Sequence, residues 1–192
     1  MGKPIKEIKD NYSRYEELLG QIKNSTSNPI VLDGIKSNHS NTRIKKVKAI
    51  HSTRTERIEL IVESKIINKK DFKFKLRAPE YIGSPFFRFD SDGVAHYNRI
   101  PNVELPKQKV ETPHFHKFDS EGRNFAYKTP ALINEGSCIA LLNDISLCMA
   151  HYGDESQTYY NDDSYIKIVQ TPPSEIDFEI NQENPTSGVE YE

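Results

Sequence analysis

Phe72-Lys73-Phe74-Lys75-Leu76-Arg77, with Phe87-Arg88-Phe89-Asp90 shortly after it, is the stretch on which the fold turns. Apolar and charged side chains alternate, and a period of two puts the aromatics on one side of a strand and the charges on the other. Such strands belong in a sheet with one greasy face and one ionic face. The same pattern runs upstream through Val47 and Ala49, then Ile58, Leu60 and Val62, and downstream through His114-Phe115-His116. Phe89-Asp-Ser-Asp-Gly93 and Phe118-Asp-Ser-Glu-Gly122 repeat one turn phrase, polar residues closed by a glycine that accepts positive φ, so two β-hairpins are expected.

Helices flank this region. Ile5, Ile8, Tyr12, Tyr15, Leu18, Leu19 and Ile22 recur at steps of three and four, which marks one apolar stripe on a helix over about 4–23. The breaker clusters Asn24–Pro29 and Ser37–Asn41 read as loops. From Ser137, a natural N-cap, Cys138, Leu141, Leu142, Ile145, Cys148, Met149 and Tyr152 mark a second helix over about 138–152, with Gly153 placed to close it. Tyr165 to Val169 reads as a further strand. The expected architecture is therefore α+β: an antiparallel sheet of about six to eight strands over about 43–128, a helix before it, a helix after it and a strand at about 164–170. Residues 1–171 read as one domain and 172–192 as an acidic, mobile tail.

Composition narrows the class. The chain has 192 residues, 35% hydrophobic and 28% charged, with ten Tyr and nine Phe, so it is polar but equipped to fold. No apolar run approaches the roughly 18 residues of a membrane span, and the N-terminus carries no signal-like apolar segment. On a single helix Cys138 and Cys148 would lie about 15 Å apart at 1.5 Å per residue, too far to pair. A cytoplasmic location with no membrane contact follows as the expectation.

The formal charge of −2 conceals a polarised molecule. Residues 1–78 hold 18 Lys/Arg against 9 Asp/Glu, 79–171 hold 8 against 13, and 172–192 hold none against 6. The basic part suits a nucleic-acid partner through Lys45, Lys46, Lys48, Lys73, Lys75 and Arg77, or else it is a solvated lysine-rich sheet face. The acidic tail, if it reaches those lysines, competes with a polyanion for them.

Three i, i+2 pairs carry the candidate chemistry: Arg88 with Asp90, His96 with Asn98, and His114 with His116. In a strand each pair points to one face, so neighbouring strands would gather Arg88, Asp90, His96, Asn98, His114 and His116 on one surface, with three of the six histidines in the chain. Two chemistries fit. A divalent metal could sit on His96, His114 and His116 with a carboxylate, or a histidine could act as general base while Arg88 steadies a phosphoryl-like transition state. A hydrogen-bonded polar lattice with no function is the third reading.

Other motifs are sparse. Ile58 to Lys65 resembles the core strand of PD-(D/E)xK nucleases, with Glu63 and Lys65 on one face, but no Pro-Asp pair precedes it and Asp33 is distant in sequence. There is no phosphate-binding glycine loop, no Gly-x-Ser-x-Gly elbow and no Cys-x-x-Cys pair.

The order Arg88-x-Asp90, Gly93, His96-x-Asn98, Pro113-His114-x-His116, Gly122 and Ala126 resembles an uncharacterised family of small bacterial and prophage proteins, over roughly Ile58 to Gly153. That family's Gly…Trp-Ala-x-Pro-Leu segment reads here Phe125-Ala126-Tyr127-Lys128-Thr129-Pro130-Ala131-Leu132, without the tryptophan and with two extra residues. More remotely the order is similar to TumE-type toxins of toxin–antitoxin pairs. The resemblance implies a mobile-element protein, toxin-like, that acts on nucleic acid as a ribonuclease, and it points to Arg88, Asp90, His96, His114 and His116 as the catalytic set. The rival expectation is a non-enzymatic interaction protein, such as an antitoxin or a phage-encoded inhibitor of a host defence nuclease, with a protein partner instead.

Overall fold

The computed structural model describes residues 4–98, 100 and 102–170, and the acidic tail expected at 172–192 lies outside them. In chain order the elements are α1 (Lys6–Asp10), α2 (Tyr12–Gly20), β1 (Lys23–Ser25), β2 (Ile30–Leu32), β3 (Gly34–Lys36), β4 (His39–His51), β5 (Ile58–Lys65), β6 (Phe72–Arg77), β7 (Phe87–Asp90), β8 (His96–Tyr97), β9 (Lys109–Val110), β10 (His114–Phe118), β11 (Asn124–Tyr127), α3 (Pro130–Ile133), α4 (Glu135–Asn143), α5 (Ile145–Ser156), β12 (Thr158–Tyr159) and β13 (Ile168–Gln170). The fold is α+β.

One curled sheet runs β11-β10-β7-β6-β5-β4-β1-β12. β5 takes one edge of the long strand β4, so β1 and β3 share the other, β1 beside His51 and β3 beside Ile44. The sheet is mixed, not purely antiparallel. β1 and β12 pair in parallel because β12 is delivered to the edge by a helix, α5, instead of by a turn. The late strand, β13, lies outside this sheet and pairs in parallel with β2.

The alternating residues behave as a period of two demands. Leu60, Val62, Phe72, Phe74, Leu76, Phe87, Phe89 and Phe115 are buried in one hydrophobic cluster that also takes Ile8, Tyr15 and Leu18 from the N-terminal helices and Cys148, Met149 and Tyr152 from α5. Tyr152 packs its ring 5.4 Å from Phe74 and 5.3 Å from Phe87, and its hydroxyl donates to the Phe87 carbonyl at 3.4 Å. Tyr15 plays the same part from α2: its hydroxyl donates to the Phe86 carbonyl and accepts from the Phe118 amide. The two closest backbone approaches need glycine. A Cβ on Gly153 would lie 2.6 Å from the Thr158 carbonyl, and one on Gly122, at φ +72°, 2.3 Å from the Ile5 carbonyl.

Both expected helices are broken by their own polar residues. Asn11 ends the first segment and caps α2 by accepting from the Arg14 amide. Asp144 does the same inside the second, its carboxylate accepting from the amides of Ser146 and Leu147. The cap of α4 is Asn134 instead of Ser137, and α5 runs through Gly153 to Ser156. Cys138 and Cys148 thus sit on separate helices, and both are free thiols.

Candidate functional site

Register, more than any single motif, builds the site. Reading straight across the sheet on the face away from the core, one row is Lys46, Ile61, Lys75, Arg88, His116 and Ala126. The next row is Ile44, Glu63, Lys73, Asp90 and His114. A third holds Lys48, Glu59 and Arg77. Residues paired across antiparallel strands project together, so this face carries an ionic lattice that grades into a histidine cluster.

Asp90 is the hub of the cluster. Its Oδ2 lies 3.0 Å from Arg88 Nη2, 3.3 Å from His116 Nε2 and 3.9 Å from His114 Nε2, while its Oδ1 faces Lys73 Nζ at 3.5 Å without making a hydrogen bond. Burial would raise the Asp90 pKa, but the neighbouring cations Arg88 and Lys73 outweigh it and hold the carboxyl down at about 2. His116 Nδ1 donates to Asn124 Oδ1 at 3.0 Å, which leaves Nε2 as the lone pair that meets Arg88 Nη2 at 2.8 Å. His114 is pushed down to about 4 by burial and by neighbouring His116. Its Nδ1 makes no hydrogen bond of normal geometry, although the Glu111 backbone acts on it. The side chains of Asp90, His114 and His116 are 8%, 1% and 4% exposed, whereas Arg88 is 36% exposed and is the member that reaches water.

The histidines are buried on a face that should be wet because a second ribbon covers them. β8 pairs with β9, and Asn98 clamps the ribbon to the sheet: its Nδ2 donates to the Ala126 carbonyl at 2.9 Å and its Oδ1 accepts from the Ala126 amide at 2.7 Å. An amide side chain here satisfies the free edge of β11 as another strand would. The clamp sets the His96 ring 4.9 Å from that of His116, edge to face.

Several expectations need correction. His96 does not stand on a strand beside β7: both edges of β7 are taken, by β6 and β10, so Phe89-Asp-Ser-Asp-Gly93 is a turn but not a hairpin between β7 and β8. The Phe118–Gly122 hairpin joins β10 to β11 as expected. The group placed to hold a metal among the described residues is Asp90, His114 and His116, without His96. Lys45 lies in the row of Val62, Phe74, Phe89 and Phe115, on the core side of the sheet, and its ammonium turns to Asp33 at 2.9 Å. Lys46, Lys48, Lys73, Lys75 and Arg77 do share the face with Arg88.

Asn124 and Lys36 were not foreseen. Asn124 shares parity with Ala126, so counting register back from the β10–β11 turn would have placed it beside His116. Lys36 joins Lys75 on Glu63, at 3.0 and 2.7 Å, and both cations hold the buried Glu63 below its usual pKa against the effect of burial. Two shallow grooves, about 270 and 470 Å³, flank this bridge; the first is walled by Lys73 and Lys75, the second by Lys46, Lys75 and Arg77. No helix among the described residues is long and apolar enough to cross a membrane. No family model, curated protein or solved structure matches this chain. The fold and site define, from geometry alone, a sheet with a buried two-histidine, one-carboxylate cluster at the end of a cationic lane.

Proposed function

We propose that this chain acts on nucleic acid as a toxin-like ribonuclease of a mobile element, with the cluster around Asp90 as its active site and the lysine lane as its phosphate-binding track. One observation carries the reading: the row Lys46, Ile61, Lys75, Arg88 and His116 aligns an exposed lysine, a largely buried lysine paired with Glu63 and a guanidinium that touches a buried histidine and carboxylate. Cleaving a phosphodiester by positioning and charge needs a cation on the phosphoryl oxygens and an imidazole to move a proton. Arg88 supplies the first from a partly exposed position, and His96 the second, held against His116 by the Asn98 clamp. Asp90 and His116 are positioning residues that fix the guanidinium. The lane from β4 to β7 covers three strand spacings, about 14 Å.

Inducible expression in bacteria tests this directly. Wild-type protein is expected to arrest growth and fragment cellular RNA, while Arg88→Ala, having lost its charge on the phosphate, falls about 100-fold or more in activity. Wild-type expression without arrest or RNA damage, or equal arrest by Arg88→Ala, removes the enzymatic reading in favour of a protein-binding antitoxin or inhibitor.

A further inference from the structure

We infer that Asp90, His114 and His116 form a binding site for a divalent transition metal, zinc by preference, in which Arg88 is the resident cation that the metal displaces. The inference deepens the proposed function and rests on it only for the use to which the metal is put. The spacing is already close. Two ligands about 2.0–2.1 Å from a tetrahedral zinc lie about 3.3–3.4 Å apart, and Asp90 Oδ2 is 3.3 Å from His116 Nε2 and 3.9 Å from His114 Nε2. One atom from each of the three residues falls within 4.8 Å of the others. Closing the remaining gap takes a small swing of the His114 ring.

Ligand identity and support agree with this. Two imidazoles and one carboxylate suit zinc, iron(II), cobalt or manganese better than the all-oxygen preference of calcium or magnesium, and three protein ligands leave a position open for water or substrate. A ligating histidine commonly donates its other nitrogen to a fixed acceptor, and His116 Nδ1 donates to Asn124.

Arg88 supplies the remaining observation. Its Nη2 stands 2.8 Å from His116 Nε2 and 3.0 Å from Asp90 Oδ2, so a cation already shares the two electron pairs that a metal would take. Its Nε has no partner, and with the side chain 36% exposed the guanidinium has a route outward. Displacement would carry it from the carboxylate toward the open face, where the proposed phosphate lies. Metal loading would then arm the site in two ways, by placing a Lewis acid inside and by freeing a guanidinium outside.

The test uses full-length protein freed of metal by chelator, titrated with zinc and separately with cobalt, with no nucleic acid present. The expected result is one zinc per chain and a visible cobalt spectrum of low-coordinate type. Zinc affinity is expected to fall about 100-fold or more in His116→Gln and in Asp90→Asn, and about 10- to 100-fold in Asn124→Ala, which spares the ligands and guards against misfolding of the first two. Arg88→Gln, lacking the competitor, is expected to bind about tenfold tighter. Failure of the wild-type chain and Arg88→Gln to bind one zinc, or an unchanged affinity in all three weakening variants, overturns the site. Equal or weaker binding by Arg88→Gln overturns the displacement. RNA cleavage that persists in chelator would defeat the arming role of the metal and leave the proposed function standing, and zinc binding without cleavage would leave the metal site standing and defeat the proposed function.

Discussion

His114 is neutral in the folded chain from neutrality down to about pH 4, because burial and neighbouring His116 both penalise its cation. An unfolded chain takes up that proton near the ordinary value of 6.5. Its contribution is therefore fully present above pH 6.5, drains away as pH falls toward about 4, and is gone below, for a total of up to about 3 kcal/mol at about 1.4 kcal/mol per unit. Asp90, depressed from 3.8 to about 2, adds a second loss over that lower window. Denaturant titrations at about pH 7.5, 4 and 2.5, chosen to bracket the two windows, should show wild-type stability falling in two steps, the first of them absent in His114→Gln. Asn98 makes a different kind of residue-scale claim. Asn98→Ala strips both hydrogen bonds from Ala126 and is expected to cost about 1–3 kcal/mol while releasing His96, so activity should fall further than the melting temperature suggests.

Among the elements, the legible ones were those whose periodicity is imposed by a two-sided environment. β6 and β7 read correctly because every second side chain meets the core, and the Gly122 turn read correctly because its two strands are neighbours in sequence and in space. β8 was misplaced for a nonlocal reason. Ser91 continues the β7–β6 contact, its amide donating to the Phe72 carbonyl and its hydroxyl accepting from the Phe72 amide, and β10 arrives from twenty-odd residues away to take the other edge. Apolar spacing likewise ran straight through Asn11 and Asp144, since stripes at three and four survive a capping break. Nor does any pattern announce that Lys23 on β1 is buried: its ammonium donates to the carbonyls of Leu18, Leu19 and Gln21 at the end of α2, while burial pushes its pKa down to about 7. Lys23→Ala leaves three carbonyls without that donor and is expected to destabilise by about 2–4 kcal/mol in chemical denaturation, with Lys23→Met intermediate because it keeps the packing of the stem.

For the molecule as a whole, the separation of charge that is visible in the sequence becomes a spatial fact on the ionic face, where Lys46, Lys48, Lys73, Lys75, Arg77 and Arg88 meet only Glu59, Glu63 and Asp90 in the three rows. The six carboxylates of residues 172–192 are candidates to compete for that face. Deleting them should tighten RNA binding at about 50 mM salt, and the gain should shrink toward nothing at about 300 mM as screening shortens, read by fluorescence anisotropy. The sequence thus displayed which side chains share a face, Lys45 excepted, but not that a ribbon clamped by Asn98 would bury three of them, because that depends on contacts between residues 98 and 126. Whether the buried cluster is a working site or scaffolding is decided most directly by incubating purified protein with a labelled RNA, with and without added zinc, and comparing wild type with His116→Gln at matched melting temperature. The account expects cleavage by wild type and a loss of at least about 100-fold in the variant, whose Arg88 guanidinium is no longer held in place; intact RNA with wild type under both conditions, or equal cleavage by His116→Gln, would contradict it.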